Sequence, residues 1–281
     1  MTDATDPLVS AVAPGVTRVR AQNPGPMTLD GTNTWILHDP GARSAVVIDP
    51  GPDDPGHHRR VRDELERADV QVELVLLTHG HLDHSEGAEA FAAVAGAPLR
   101  AADPRWSTAG TLEPQEVIDA GGLRLTVLAT PGHTSDSVSF AIGEYLCTGD
   151  TVLGRGTTVV AHPDGRLADY LASLGVLRDR ADRDGVTHLL PGHGPTVTEP
   201  LAWLDFYLAH RRDRLAAVAA AARALGPPVN TGSEDELSQR VQDVVAQVYA
   251  DVPQHLWPAA ALSVRAQLLY LAAGDPDNRP T

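Results

Sequence analysis

Residues 77–87 read LTHGHLDHSEG, from Leu77 to Gly87. His79, His81, Asp83 and His84 fall within six consecutive residues, directly after the apolar run Leu74-Val-Leu-Leu77. A solvated loop seldom places so many titratable groups side by side, because they compete for the same hydrogen-bond donors. A metal removes that conflict. The apolar run predicts a strand over Val72–Thr78 and the residues from Ser85 to Ala95 predict a helix, so the cluster sits in a strand–loop–helix unit.

Length and composition bound what surrounds it. The chain has 281 residues, 42% of them hydrophobic, enough for one large domain or a domain with an appendage. Its formal charge is −15, from 37 acids against 22 bases, and every base is an arginine. Such a chain has no general attraction for phosphate backbones and needs a local basic path to hold nucleic acid. The single cysteine, Cys147, excludes an internal disulfide and a multi-cysteine zinc site, and reads as structural. The start, Met1-Thr-Asp-Ala-Thr-Asp-Pro7, has no basic or apolar segment, and no run reaches membrane-spanning length, so the expectation is a cytoplasmic protein without a membrane partner. Oligomeric state is not legible.

Outward from the cluster, strands are predicted at Val16–Arg20, Thr34–His38, Ala45–Asp49, Leu123–Ala129, Ser137–Ile142, Tyr145–Thr148 and Thr187–Leu190, separated by Pro-Gly and Asp-Pro breakers. Helices are predicted over Gly56–Asp69, with His57 and His58 at a solvated start, and near Leu167–Arg180. After Pro200 the pattern becomes helical throughout. Leu201, Leu204, Leu208, Leu215 and Val218 mark one long amphipathic helix, and Gly226-Pro-Pro-Val-Asn-Thr-Gly232 breaks it. Ser233 and Glu236 then have capping-box spacing. A last helix, about Ala259–Ala272, is apolar on nearly all sides and is expected to be buried. The organisation is therefore a mixed α/β domain over residues 1–199, which carries the cluster, and a helical region over residues 200–281.

On extended chain, residues two apart project the same way, so His79 and His81 can share one metal while Asp83 and His84 turn toward a second. Imidazole and carboxylate suit zinc, at Zn–N distances of about 2.0–2.1 Å. Four groups are too few for two metals. ATPGHTSDS adds His133, CTGDTVLG adds Asp150 and LLPGHGPT adds His193, each at a strand end or tight turn. Taken alone, His193 reads as a turn residue and Gly149-Asp150 as commonplace; beside the cluster they join a seven-ligand inventory. His38, His162, His188, His210 and His255 read as packing or surface residues.

THGHLDH, TPGHT, GD and PGHG, in that order, resemble the metallo-β-lactamase-fold hydrolases over roughly residues 15–200. That resemblance implies a four-layer αββα sandwich, with His79, His81 and His133 on one metal, Asp83, His84 and His193 on the other, and Asp150 bridging. It further implies two zinc ions per chain, with iron or manganese as alternatives, and a metal-bridging hydroxide as nucleophile, which Asp83 orients and from which it accepts a proton. Asp49 in VIDPG resembles the carboxylate that supports the ligands from behind; capping its own turn is the competing role. An aspartate rather than a cysteine at position 150 points to the glyoxalase II and ribonuclease side of the superfamily.

NPGPMTLDGTNTWIL, LGRGTT and the tail VYADVPQHLWPAAALSVRAQLLYL are similar to the lactamase-like protein 2 branch, whose C-terminal region is winged-helix-like. The branch implies cleavage of single-stranded RNA or hydrolysis of acyl-carrier-protein thioesters, so the expected substrate is an ester, thioester or phosphodiester. A mononuclear-iron persulfide dioxygenase using His79, His133 and Asp150 is the alternative from another class. From Pro200 onward seven arginines face nine acids, no basic excess. Arg155, Arg211, Arg212 and Arg214 are the candidates for a phosphate path, against an equal reading as surface arginines. Thr32, Asn33, Thr34, Arg155, Thr157 and Thr158 are the candidate cleft residues, with turn formation as their other reading.

Overall fold

Alternation along the strands sets the layers. In β3 (Asn33–Leu37), Trp35 and Leu37 face one buried cluster and Ile36 another; in β4 (Ser44–Ile48), Val46 and Ile48 face the first, and Ala45 and Val47 the second. Strands that are apolar on both faces must be covered on both. With β1 (Val9–Ala13), β2 (Val16–Arg20), β5 (Gln71–Leu76) and β6 (Leu99–Arg100) they form a six-stranded sheet in chain order, antiparallel from β1 to β4 and parallel from β4 to β6. A second sheet has the order β11-β10-β9-β8-β7, built from β7 (Val117–Ala120), β8 (Leu123–Ala129), β9 (Val138–Ile142), β10 (Tyr145–Gly149) and β11 (His188–Pro191). Only its β10–β11 pair is parallel. The computed structural model describes residues 6–227 and 233–274.

The sheets share an inner core in which Trp35, Leu37, Ile48 and Leu76 meet Val127, Phe140, Ile142 and Leu190. Each fully buried side chain of this kind contributes about 1.5–3 kcal/mol before the cost of ordering it. Outside the first sheet, α1 (Pro55–Arg67) and α3 (Ala88–Ala95) cover Ile36, Val47 and Val75 with Val61, Leu65 and Phe91. Outside the second, Tyr170, Leu174 and Leu177 of α4 (Leu167–Asp184) and Leu204 and Tyr207 of α5 (Pro200–Ala224) cover Leu146 and Leu189. The expected αββα sandwich results. α5 then runs on into a separate cluster with α6 (Glu234–Val248) and α7 (Trp257–Ala273), built on Val218, Val241, Val244, Val264 and Leu268. Ser233 caps α6, accepting from the Glu236 N–H, as the capping-box spacing predicts. Among the described residues, no helix is long and apolar enough to cross a membrane.

Four expectations are corrected. His57 and His58 are buried rather than solvated, because they share a face of α1 with Val61 and Leu65. The helix expected over Ser85–Ala95 is two pieces, a single turn α2 (Leu82–Ser85) and α3; at Gly87 the chain passes so close to His58 Nε2 and the Pro52 carbonyl that a Cβ would meet them at 2.4 and 2.7 Å. α7 buries one face, through Val264 and Leu268, and leaves Leu262 exposed, so its all-round apolarity overstates its burial. β1, β6 and β7 add to the predicted strands; β1 and β7 are edge strands and β6 is two residues long, too short for any period to show. Residues 228–232 of the expected Gly226–Gly232 break, and residues 1–5 of the start, lie outside the described residues.

The strand directions gather the chemistry. β4 runs into Asp49, β5 into His79, β8 toward His133, β10 into Asp150 and β11 toward His193, all at one edge of the paired sheets.

Candidate active site

Six of the seven inventory residues converge in two groups of ligand atoms. Those of His79, His81 and His133 lie within 4.8 Å of one another, as do those of Asp83, His84 and His193; Asp150 forms a third such group with His79 and His84. His81 Nδ1 is 3.0 Å from both His79 Nε2 and His133 Nε2, and His84 Nε2 is 3.3 Å from His193 Nε2. Asp150 lies between the groups: its Oδ2 is 3.2 Å from His193 Nε2 and 3.7 Å from His133 Nε2, and its Oδ1 is 3.5 Å from His84 Nε2.

The local backbone makes this convergence possible. His81 is the N-cap of α2, which begins at Leu82, so Asp83 and His84 lie on a turn of helix instead of continuing along the strand direction. Gly149 has φ +48°, and a Cβ there would stand 2.6 Å from Thr78 Oγ1. Gly192 lets β11 pass Asp150, since a Cβ would meet its Oδ1 at 2.4 Å.

Behind the convergent atoms, the outer nitrogens of four imidazoles are all engaged. His84 Nδ1 meets Asp49 Oδ2 at 2.8 Å, His133 Nδ1 meets the Val159 carbonyl at 2.8 Å, His193 Nδ1 meets the Gly31 carbonyl at 3.2 Å, and His79 Nδ1 meets Thr78 Oγ1 at 3.0 Å. With Nδ1–H donating to a carbonyl or carboxylate, the Nε2 lone pair turns inward, which is the arrangement that metal ligation requires. Asp49 does more than cap its own turn. Its two carboxylate oxygens accept from Thr78 N–H and Thr78 Oγ1, both at 2.7 Å, as well as facing His84. Thr32 Oγ1 donates to Asp83 Oδ2 at 2.8 Å and is itself held by Asn23, a pair reached only through the long Asn23–Thr32 loop.

Charge bears on fit. Burial holds His79 and His133 below the ordinary imidazole range, which keeps them neutral and able to ligate. Burial opposes charge on His84, but Asp83, Asp150 and Asp49 outweigh it and raise the group; His193 is likewise raised, to about 9, against burial, chiefly by Asp150. Burial would lift the Asp150 and Asp83 carboxyls, yet the neighbouring imidazoles, His193 and His84 for the first and His84 and His193 for the second, drive both well below the usual carboxylate range. Two ionised carboxylates among five imidazoles, with Asp150 Oδ1 buried and without a hydrogen-bond partner, make a donor set suited to holding metal ions.

The cleft above is walled by Pro26, Met27, Leu29, Leu153 and Val159, with Arg155, Thr157 and Thr158 also lining it. Arg155 pairs with Asp30 at 3.1 Å, and Thr158 Oγ1 faces His133 Nδ1 at 3.1 Å. Two sequence expectations fail here. Asn33 is fully buried, donating from Nδ2 to the Pro191 and Gly194 carbonyls at 2.9 Å, and is not among the residues that line the cleft. No phosphate path forms through Arg211, which is buried against Tyr170, or Arg214, which lies over the Tyr249 ring. Thr78, the apolar wall residues and the Gly31 and Val159 carbonyls are absent from the sequence inventory; only Thr78, beside the cluster, carries a local signal.

Comparison with known proteins agrees with this geometry. Residues 27–193 match the family described as the metallo-beta-lactamase superfamily, and residues 241–274 the beta-lactamase associated winged helix domain. A beta-lactamase-like protein 2 homolog of Drosophila melanogaster is 31% identical over 94% of this chain and 90% of its own. An atrochrysone carboxyl ACP thioesterase of Aspergillus chevalieri is 32% identical over 96% of this chain and 84% of its own. Among solved structures, a metallo-beta-lactamase family protein from Thermus thermophilus superposes with a TM-score of 0.72 at 20% identity, covering 94% of this chain and 95% of its own, which shows the fold. Two sheets with helices on both outer faces, five strands ending at one His- and Asp-rich edge, and a match through His193 lead to one conclusion: the chain belongs to the metallo-beta-lactamase superfamily of metal-dependent hydrolases.

Proposed function

We propose that the chain is a dinuclear zinc hydrolase of acyl thioesters, with His79, His81 and His133 holding one metal, Asp83, His84 and His193 the other, and Asp150 shared. The observation that carries the dinuclear reading is Asp150, whose carboxylate reaches imidazoles of both groups while Oδ1 has no other partner. When bound, such a metal pair supplies Lewis acidity and brings the pKa of a water ligand toward about 7.

The protein's own groups do the rest. Asp49 and the carbonyls of Gly31 and Val159 fix the imidazole tautomers. Asp83 is the most solvent-facing carboxylate of the site, 26% exposed in its side chain, and lines the cleft. Thr32 engages its Oδ2, so Oδ1 is the atom that takes the proton from the attacking water. Pro26, Met27 and Leu29 shield the reacting carbonyl from bulk water and offer an acyl chain an apolar wall.

The thioester reading is supported by that wall, by a relative named a thioesterase and by the shortage of free cations in the cleft, where the one lining arginine is paired to Asp30. A single-stranded RNA substrate would need a run of cations to neutralise successive phosphates. A cytoplasmic setting accompanies the proposal. The test is metal analysis of purified protein with a hydrolysis panel of acyl thioesters, single-stranded RNA and a β-lactam, each with a chelator control. About two zinc per chain and chelator-sensitive thioester cleavage support the proposal; one iron per chain, or RNA cleavage without thioester turnover, overturns it.

A further inference from the structure

α5 reaches the cleft wall through side chains four residues apart. Trp203, Tyr207 and Arg211 form one stripe of the helix, and each ends on the backbone of the loop that follows Asp150. Trp203 Nε1 donates to the Leu153 carbonyl at 2.8 Å, Tyr207 Oη accepts from the Leu153 N–H at 2.8 Å, and Arg211 Nη2 donates to the Thr158 carbonyl. A fourth tie comes from α4, where Tyr170 Oη donates to the Thr151 carbonyl at 2.7 Å. The loop is thus fastened at its start, at Leu153 and at Thr158.

Arg211 is the member of this set that packing does not account for. The residue is 7% exposed, and among the described residues its guanidinium pairs with no carboxylate; it has the Thr158 carbonyl, the Tyr170 ring 4.8 Å from Cζ, and an Nε with no partner. Burying a guanidinium without a counter-ion is unfavourable, and an apolar side chain of similar length would fill the space at less cost. What the charge secures lies on the other side of Thr158. The Thr158 hydroxyl faces His133 Nδ1 at 3.1 Å, and the next carbonyl, that of Val159, meets the same nitrogen at 2.8 Å.

We propose that Arg211 is a positioning residue for His133. By holding the Thr158 carbonyl it fixes the two-residue segment that orients the His133 ring, so that α5, the first of the C-terminal helices, completes the active site. The consequence for His133 as a ligand rests on the metal-centre reading above; the fastening of the loop does not.

The test uses the full chain with Arg211→Met, Arg211→Lys and Tyr207→Phe. Amide hydrogen exchange is followed over residues 151–160, cobalt(II) affinity by absorption titration, and stability by urea unfolding. Arg211→Met is expected to speed exchange across 155–160 and to weaken cobalt binding about 10–100-fold, the scale found when a ligand's supporting partner is lost. Arg211→Lys, which still presents a donor to the Thr158 carbonyl, should recover most of that affinity, and Tyr207→Phe should speed exchange at Leu153. Lower stability with wild-type exchange and wild-type cobalt affinity would make Arg211 a packing residue and overturn the proposal. If Arg211→Met does not fold, Arg211→Gln, polar but too short to reach the Thr158 carbonyl, takes its place, and wild-type exchange across 155–160 with wild-type cobalt affinity in it would overturn the proposal equally. Faster loop exchange in Arg211→Met beside a wild-type chain that binds no cobalt would support the fastening and sink the metal-centre reading.

Discussion

Asp49 Oδ2 lies 2.8 Å from His84 Nδ1, with both side chains sealed from solvent. Asp49 reaches this position from a left-handed backbone, φ +52°, and Thr34 Oγ1 donates to its carbonyl at 2.7 Å. A carboxylate placed here both selects the tautomer of His84 and raises the basicity of its Nε2. Asp49→Asn keeps the size but removes the charge and offers an amide that can present the wrong end to His84. Metal affinity is expected to fall about 10–100-fold, read by competition with a chromogenic chelator. Wild-type affinity in a folded variant would limit Asp49 to shaping its turn.

Thr32 makes a separable contribution through Asp83. Thr32→Val is nearly isosteric, removes the donor to Oδ2, and leaves the Thr32 N–H on Asn23 Oδ1 at 2.9 Å intact. A hydrogen bond to a charged group is worth about 1.5–3 kcal/mol, so kcat should drop about 10-fold or more. Metal content by elemental analysis should stay unchanged. A variant that instead loses metal would show that Thr32 supports ligation and not the proton-accepting role of Asp83.

His57 gives the fold a pH dependence of known sign. Burial holds its pKa down at about 4, with Nε2 2.8 Å from Thr34 Oγ1. The unfolded chain, with an ordinary value near 6.5, binds the proton first as pH falls, so this contribution is full above about 6.5 and is lost between about 6.5 and 4. In urea unfolding at matched metal loading, His57→Gln should show a shallower decline across that window, by up to about 1.4 kcal/mol per pH unit. Parallel curves for the two proteins would place the titrating groups elsewhere.

How far these features are legible depends on where their partners sit. His79, His81, Asp83 and His84 are neighbours in sequence, so the cluster reads directly, and with it the strand and the helical turn on either side. His133, Asp150 and His193 carry only a Gly or Pro-Gly signal each and gain meaning from the cluster. Asn33 departs from its expected place in the cleft because its partners, the Pro191 and Gly194 carbonyls, lie some 160 residues away and no local pattern announces them. Arg211 departs for the same reason, since its carbonyl partner is on Thr158. His57 differs in kind: its spacing of four to Val61 and then Leu65 places it on the buried face of α1, and there the helical period outweighs the polar residue type.

Cys147 tests the ligand inventory from outside. It is buried in the inner core, paired across strands with Phe140 and Leu190 and outside the convergent groups of ligand atoms, and burial pushes its thiol well above the ordinary range, which keeps the free thiol protonated. Cys147→Ser should destabilise by about 1–3 kcal/mol, the cost of placing a hydroxyl in apolar surroundings. Turnover and metal content should remain within a few-fold of wild type. Loss of metal would show that the inventory has missed a ligand.

Asp150→Asn is the sharpest test of the centre. Its carboxylate is within reach of His84, His193 and His133 together, and its negative charge would offset the repulsion between the two cations of the proposed centre. The amide keeps the shape and removes that charge. Metal per chain should fall from about two toward one, and turnover by at least about 10²-fold, the scale on which loss of a metal or its supporting partners is felt. His193→Ala provides the contrast, because its nitrogen belongs to the group with Asp83 and His84 and not to the one with His79, His81 and His133. It should empty that second site while the first stays filled, so its metal content should level off at one under conditions where Asp150→Asn weakens both. Full activity with two metals in Asp150→Asn would refute the shared-ligand assignment, and with it the reason for reading the site as dinuclear.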